Sequence, residues 1–133
     1  MKLEDQVCSL ELAKKLKELG VKQDGLFAWF EEKDKKRIFC EYRLHQQSRD
    51  SQDTFNDGYA ATPSEICSAP TVAELDEMLP FNYTVLKHIS MEKWFGVEFF
   101  MGGTAKPIGI SAKTGADARA KMVIYFLEKE EEK

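Results

Sequence analysis

Residues 116–127 (ADARAKMVIYFL) place the tightest limit on what this chain can fold into. Wound as a helix, they set Ala118, Ala120, Met122, Val123, Ile124, Tyr125, Phe126 and Leu127 around well over half the circumference. Asp117, Lys121 and Glu128 form the one clear polar strip, and Arg119 intrudes alone. A helix lying on a surface needs an apolar stripe only about 100° wide. This one must be covered on more than one side, by a sheet and by another helix or a second subunit. Thr114 is its cap, with Asp117 three residues on. The tail, residues 128–133, is mostly acidic and sits at the negative end of the helix dipole, so it is expected to fray beyond about residue 127.

The rest of the chain alternates between strand and helix signals. Ser9 caps a helix over residues 10–19, with an earlier start near Asp5 as an alternative. Leu12, Leu16 and Leu19 share one face of it. Gly20 and Val21 fit the two positions after a Schellman cap, with Val21 reaching back to Leu16. Residues 26–32 (LFAWFEE) and 37–44 (RIFCEYRL) read as two strands of a hairpin around the polar residues 33–36. Thr71 and Glu74 form a capping box for a helix over residues 72–79, which Pro80 stops. Residues 83–89, 94–101 and 106–110 read as strands, with Gly102-Gly103 as a turn and Pro107 placing the last strand at an edge. Residues 46–64 are polar and without apolar periodicity, and they are expected to form a long loop.

An internal echo links the two halves. Cys67-Ser68-Ala69-Pro70-Thr71-Val72-Ala73-Glu74 aligns with Ile110-Ser111-Ala112-Lys113-Thr114-Gly115-Ala116-Asp117. Each copy follows a hairpin whose first strand carries Trp-Phe, Trp29-Phe30 in one and Trp94-Phe95 in the other. The expected fold is a single α+β domain over residues 1–133. It has one antiparallel sheet of four or five strands and three helices, arranged as two β-β-α units behind a leading helix. The size is ordinary for one domain.

Three segments resemble a known group: residues 10–29 (LELAKKLKELGVKQDGLFAW), 70–80 (PTVAELDEMLP) and 116–128 (ADARAKMVIYFLE). Together they are similar to small uncharacterised proteins encoded in bacteriophage and prophage regions. The resemblance spans both ends of the chain and implies a mobile-element origin. It carries no settled activity with it.

The residues themselves bring little chemistry together. Cys8, Cys40 and Cys67 are odd in number and widely spaced, which suits buried, reduced thiols better than disulfides or zinc. Cys40 alternates with Ile38 and Tyr42 as on a buried strand face. His45 and His88 are the only histidines, and no local signature pairs either with a cysteine as nucleophile and base. Glu31-Glu32 and the group Asp50, Asp53 and Asp57 read as solvated carboxylates. No glycine-rich phosphate loop is present. No catalytic residue, metal or cofactor is therefore expected, and no ligand-binding residue can be assigned. The net charge of -4 disfavours nucleic acid as a partner, with Lys33, Lys35, Lys36 and Arg37 at a hairpin tip as a basic group that could meet phosphate. No apolar run is long enough to span a membrane. No secretory signal is visible, which points to the cytosol of the host cell. Strand 94–101 is apolar on both faces, with Phe95, Val97, Phe99 and Met101 on one and Trp94 and Phe100 on the other. A strand with one wet face alternates more cleanly than that. The expected function is that of a phage accessory protein acting through contact with an unknown protein partner or by self-association. A small nucleic-acid-binding regulator is the alternative.

Overall fold

The computed structural model describes residues 2–44, 63–88 and 90–131. In chain order the elements are α1 (Leu3–Gln6), α2 (Leu10–Glu18), β1 (Phe27–Glu32), β2 (Arg37–Tyr42), β3 (Ser64–Ser68), α3 (Val72–Met78), β4 (Tyr83–His88), β5 (Lys93–Phe99), β6 (Ala105–Ala112) and α4 (Gly115–Glu131). The class is α+β. The expected single sheet of four or five strands is instead two antiparallel sheets of three, ordered β2-β1-β3 and β4-β5-β6. The expected three helices are four among the described residues, because the early start near Asp5 is a separate turn, α1. Val7, extended and bridged to Thr71, breaks it from α2.

Local chemistry accounts for most boundaries. α2 ends in a Schellman cap: Gly20 N donates to Lys17 O and Val21 N to Leu16 O, each at 3.1 Å, with Gly20 at φ 91°. The capping box at α3 is complete, since Thr71 Oγ1 accepts from Glu74 N and the Glu74 carboxylate accepts from Thr71 N. Pro107 does lie in an edge strand, β6. The fraying expected after residue 127 is not found, and α4 continues to Glu131. Lys15 pairs with Glu128 at 3.5 Å and Lys129 lies 4.7 Å over the Tyr125 ring, which ties this last stretch down. His45 and most of the polar segment 46–64 lie outside the described residues. Strand β3 begins at its end, within a stretch that reads as loop.

The core is organised by α4. Ala116, Ala120 and Val123 face one buried cluster with Val7, Cys8, Leu16, Trp29, Cys67 and Leu75, drawn from the α1–α2 turn, α2, sheet one and α3. Ala118 and Met122, on the opposite side of the same helix, face a second cluster with Val85 and Ala112 of sheet two. Coverage on more than one side is what the apolar circumference required. Gly96 lets α4 lie close against sheet two. A Cβ there would stand 2.9 Å from Met122 Sδ and 3.2 Å from Ile108 Cγ1.

The β-β-α expectation also changes. In sheet one the helix-bound strand β3 returns to pair with β1, on the far side from β2. In sheet two β6 follows β5 directly. Each helix thus leaves a three-stranded sheet from the strand beside its central one, reached by a different path. The two Trp-Phe pairs are not equivalent in register. Trp29 stands opposite Cys67, whereas Trp94 stands opposite Ala112. Ala69 N donates to Phe27 O, which continues the Ala28–Ser68 register and sets Phe27 opposite Ala69. Since Ala69 matches Ala112 in the echo, the positional counterpart of Trp94 is Phe27.

Candidate functional site

Two clefts lie at opposite ends of α4. The first, about 760 Å³, opens where the echoed segments meet. Thr71, Val72 and Ala73 line it from the start of α3, and Thr114, Gly115 and Ala116 from the start of α4. Phe27 and Trp94, the register counterparts, line it as well. Both threonine hydroxyls accept the backbone N–H three residues on, 3.2 Å from Glu74 and 3.1 Å from Asp117. The echo therefore has a structural meaning: it repeats a strand exit and a helix cap on two walls of one cleft.

Charge gathers around Trp94. Arg119 lies 5.7 Å from the ring centroid and Lys87 5.9 Å. Arg119, an isolated intrusion in the helical pattern, also donates to Asp76 Oδ1 at 2.6 Å and to Gly115 O at 3.0 Å, joining α4 to α3. Lys113, Asp5 and Glu92 complete the charged lining. A Cβ on Gly115 would meet Arg119 Nη1 at 2.8 Å and the Trp94 ring at 3.4 Å, so this glycine lets the indole lie against the helix start.

The second cleft, about 710 Å³, lies at the other end of α4. Its floor is apolar: Val21, Met78, Tyr83, Val123, Phe126 and Leu127. Tyr83 and Phe126 meet edge to face at 4.3 Å. The Tyr83 hydroxyl donates to Glu98 at 3.0 Å, and burial followed by that bond raises its pKa. Asp24, Glu74, Glu77 and Glu130 stand around it against Lys22 and Lys129. Pro80 leads from this groove to Phe81, which is fully exposed. Asn82 O accepts from Phe99 N at 2.7 Å, so Phe81 lies at the same end of sheet two as Phe99, Phe100 and Met101. All four are exposed, Met101 completely. Of the two apolar faces read in β5, α4 covers the side of Trp94 and Gly96. The other leaves Phe99 42% exposed, while Val97 is buried.

The thiols read as buried are buried, and all three are free. Cys40 and Cys67 stand opposite Trp29 on its two sides. Burial pushes Cys8 and Cys67 up and takes Cys40 to about 12, with Glu4 and Cys67 adding to the effect at Cys40. Such groups are poor nucleophiles. Ile38, read on the same face, is 50% exposed because it lies next to the hairpin turn. His88 is on β4, its Nδ1 3.1 Å from Ser90 Oγ and its ring beside Phe95, away from the cysteines' cluster. Among the described residues no group of three or more His, Cys, Asp or Glu side chains is placed to hold a metal. Of the basic hairpin tip, Lys35 and Arg37 are both paired to Glu32, and Arg37 also lies over Phe39. Asp50, Asp53 and Asp57 lie outside the described residues. No described helix is long and apolar enough to cross a membrane.

The sequence reading missed both clefts. The echo was the available signal for the first. The second is built from residues far apart in the chain, and no local pattern marks it. Comparison with protein-family models, curated proteins and solved structures finds no match for this chain.

Proposed function

We propose that this chain is a bacteriophage- or prophage-encoded accessory protein of the host cytosol that works by protein–protein contact, and that its contact surface is the groove at the end of α4 together with the apolar end of sheet two. The observation that carries the reading is the group Phe81, Phe99, Phe100 and Met101, four large apolar side chains exposed at one end of a small fold. Contiguous exposed apolar surface beside a groove marks an interaction site more often than chance exposure does. The partner is a cationic, amphipathic segment of another protein. The groove offers it an apolar floor and four carboxylates against two lysines. Charge complementarity of this kind sets specificity and association rate, and makes both salt-dependent.

The test is fluorescence anisotropy with a labelled amphipathic helical peptide bearing lysines on its polar face. Binding should weaken at least tenfold from 50 to 300 mM salt, and again in the double variant Glu77→Lys/Glu130→Lys, whose sites are exposed. Phe81→Ser should weaken it without changing the circular dichroism spectrum. Equal binding of an acidic amphipathic peptide would overturn the reading of the groove. Concentration-dependent dimerisation by light scattering, lost in Phe81→Ser, would assign the surface to a second copy of the chain instead.

A further inference from the structure

We propose that the cleft between the two echoed segments binds a small ring-bearing phosphate, of which a nucleoside monophosphate is the plainest case. Three features carry this. The first is room: about 760 Å³ lies within the range of small-molecule sites. The second is an aromatic wall. Trp94 is half-buried, and among the described residues no acceptor sits on its indole N–H, whereas Trp29 Nε1 is satisfied by Cys8 O at 3.1 Å. A planar ring can stack on Trp94, and a polar atom of the ligand can take the spare donor.

The third feature is two cationic side chains with no ion pair among the described residues. Lys87 and Lys113 both line the cleft and make no ion pair with any described residue, including Asp5 and Glu92, which share the lining. Lys87 rests over the Trp94 ring at 5.9 Å and is exposed, so it is free to swing from ring to phosphate. Arg119 is held by Asp76 and keeps the indole in place rather than meeting the ligand. The two lysines supply charge-assisted donors to phosphate oxygens, and the start of α4, a 17-residue helix, adds its dipole in the same sense. The ring then belongs on Trp94 and the phosphate on the side of Lys113. This site lies at the other end of α4 from the protein-contact groove, and neither reading depends on the other.

The experiment follows the two indole N–H signals in a ¹⁵N–¹H correlation spectrum of the whole chain, assigned with Trp94→Phe, during titration with adenosine monophosphate. The Trp94 signal should move and saturate at a dissociation constant below about 1 mM, and the Trp29 signal should stay. Adenosine and inorganic phosphate should each bind about tenfold more weakly, because each lacks half of the recognition. Lys113→Gln, at an exposed position, should weaken the nucleotide about tenfold and leave the adenosine titration unchanged. No saturating shift up to about 10 mM nucleotide would overturn the proposal. So would inorganic phosphate binding as tightly as the nucleotide, or an unchanged affinity in the lysine variant.

Discussion

Trp29 Nε1 donates to the carbonyl oxygen of Cys8 at 3.1 Å, a buried bond that fastens the centre of sheet one to the turn between α1 and α2. Cys8 N in turn donates to Pro70 O, so the same residue is held from both sides. Trp29→Phe keeps the ring in the core and leaves the Cys8 carbonyl unsatisfied. The expected loss is about 1–3 kcal/mol by urea unfolding, the cost of stranding a buried polar group. A loss under about 0.5 kcal/mol would mean that water reaches this carbonyl.

Gly96 is a test of how tightly α4 sits on sheet two. A methyl group there meets Met122 Sδ and Ile108 Cγ1 inside ordinary contact distance. Gly96→Ala should cost about 1–3 kcal/mol by overpacking. Adding Met122→Ala should recover part of that cost, so the double variant should be more stable than the two single losses sum to. Simple additivity in thermal unfolding would argue that the two residues do not touch.

Along α4 the cost of truncation should follow burial. Met122 is fully buried between helix and sheet, while Phe126 is half-exposed in the second cleft. Met122→Ala should lose about 2–5 kcal/mol and Phe126→Ala less, by chemical denaturation. The reverse order would place the wrong face of the helix against sheet two.

Alkaline pH should destabilise the fold through its thiols. Cys40 ionises near 12 in the folded chain and at 9.0 when unfolded, and burial moves Cys8 and Cys67 in the same direction. The unfolded state therefore releases protons first. Stability contributed by the buried neutral thiols is complete below pH 9 and falls as pH rises from 9 towards 12, by up to roughly 1.4 kcal/mol per pH unit per thiol. Urea midpoints at pH 8 and pH 10 should differ, and the difference should shrink in Cys40→Ala. In native protein at pH 8 a thiol reagent should react slowly, and on denaturation without reductant it should count three groups.

Much of this architecture is written in local chemistry. The Schellman cap at Gly20, the capping box at Thr71 and the hairpin around residues 33–36 are each decided within a few residues, and each can be read from the sequence. The double burial of α4 was also legible, because a helix apolar around most of its circumference has no other solution. β3 was not. Ser64–Ser68 is five residues with a serine at each end, and it becomes a strand because β1 offers an edge to pair with. The division into two sheets was hidden for a related reason, since strand signals do not say which strand pairs with which. At the first cleft the echo gave the helix caps correctly and the aromatic partners wrongly. The repeated Trp-Phe pattern suggested Trp29 and Trp94, and register selects Phe27 and Trp94. The second cleft draws on the segment after α2, on α3, β4 and α4 together, and left no mark in any one of them.

The order in which the chain is made gives α4 a further role. Every strand of both sheets precedes Gly115, so a ribosome has synthesised six strands before the helix that completes either core exists. Until then the face carrying Val85 has no helix on it, and the cluster around Trp29 has only the part of its cover that α2 and α3 supply. Such intermediates expose apolar surface and unpaired strand edges, the features that recruit chaperones or lead to aggregation. Neither core is complete before the other, because one late segment contributes to both. Folding of this protein should therefore be a single event that follows translation of its C-terminal part, and chains cut short before Gly115 should be degraded rather than accumulate as half-folded products.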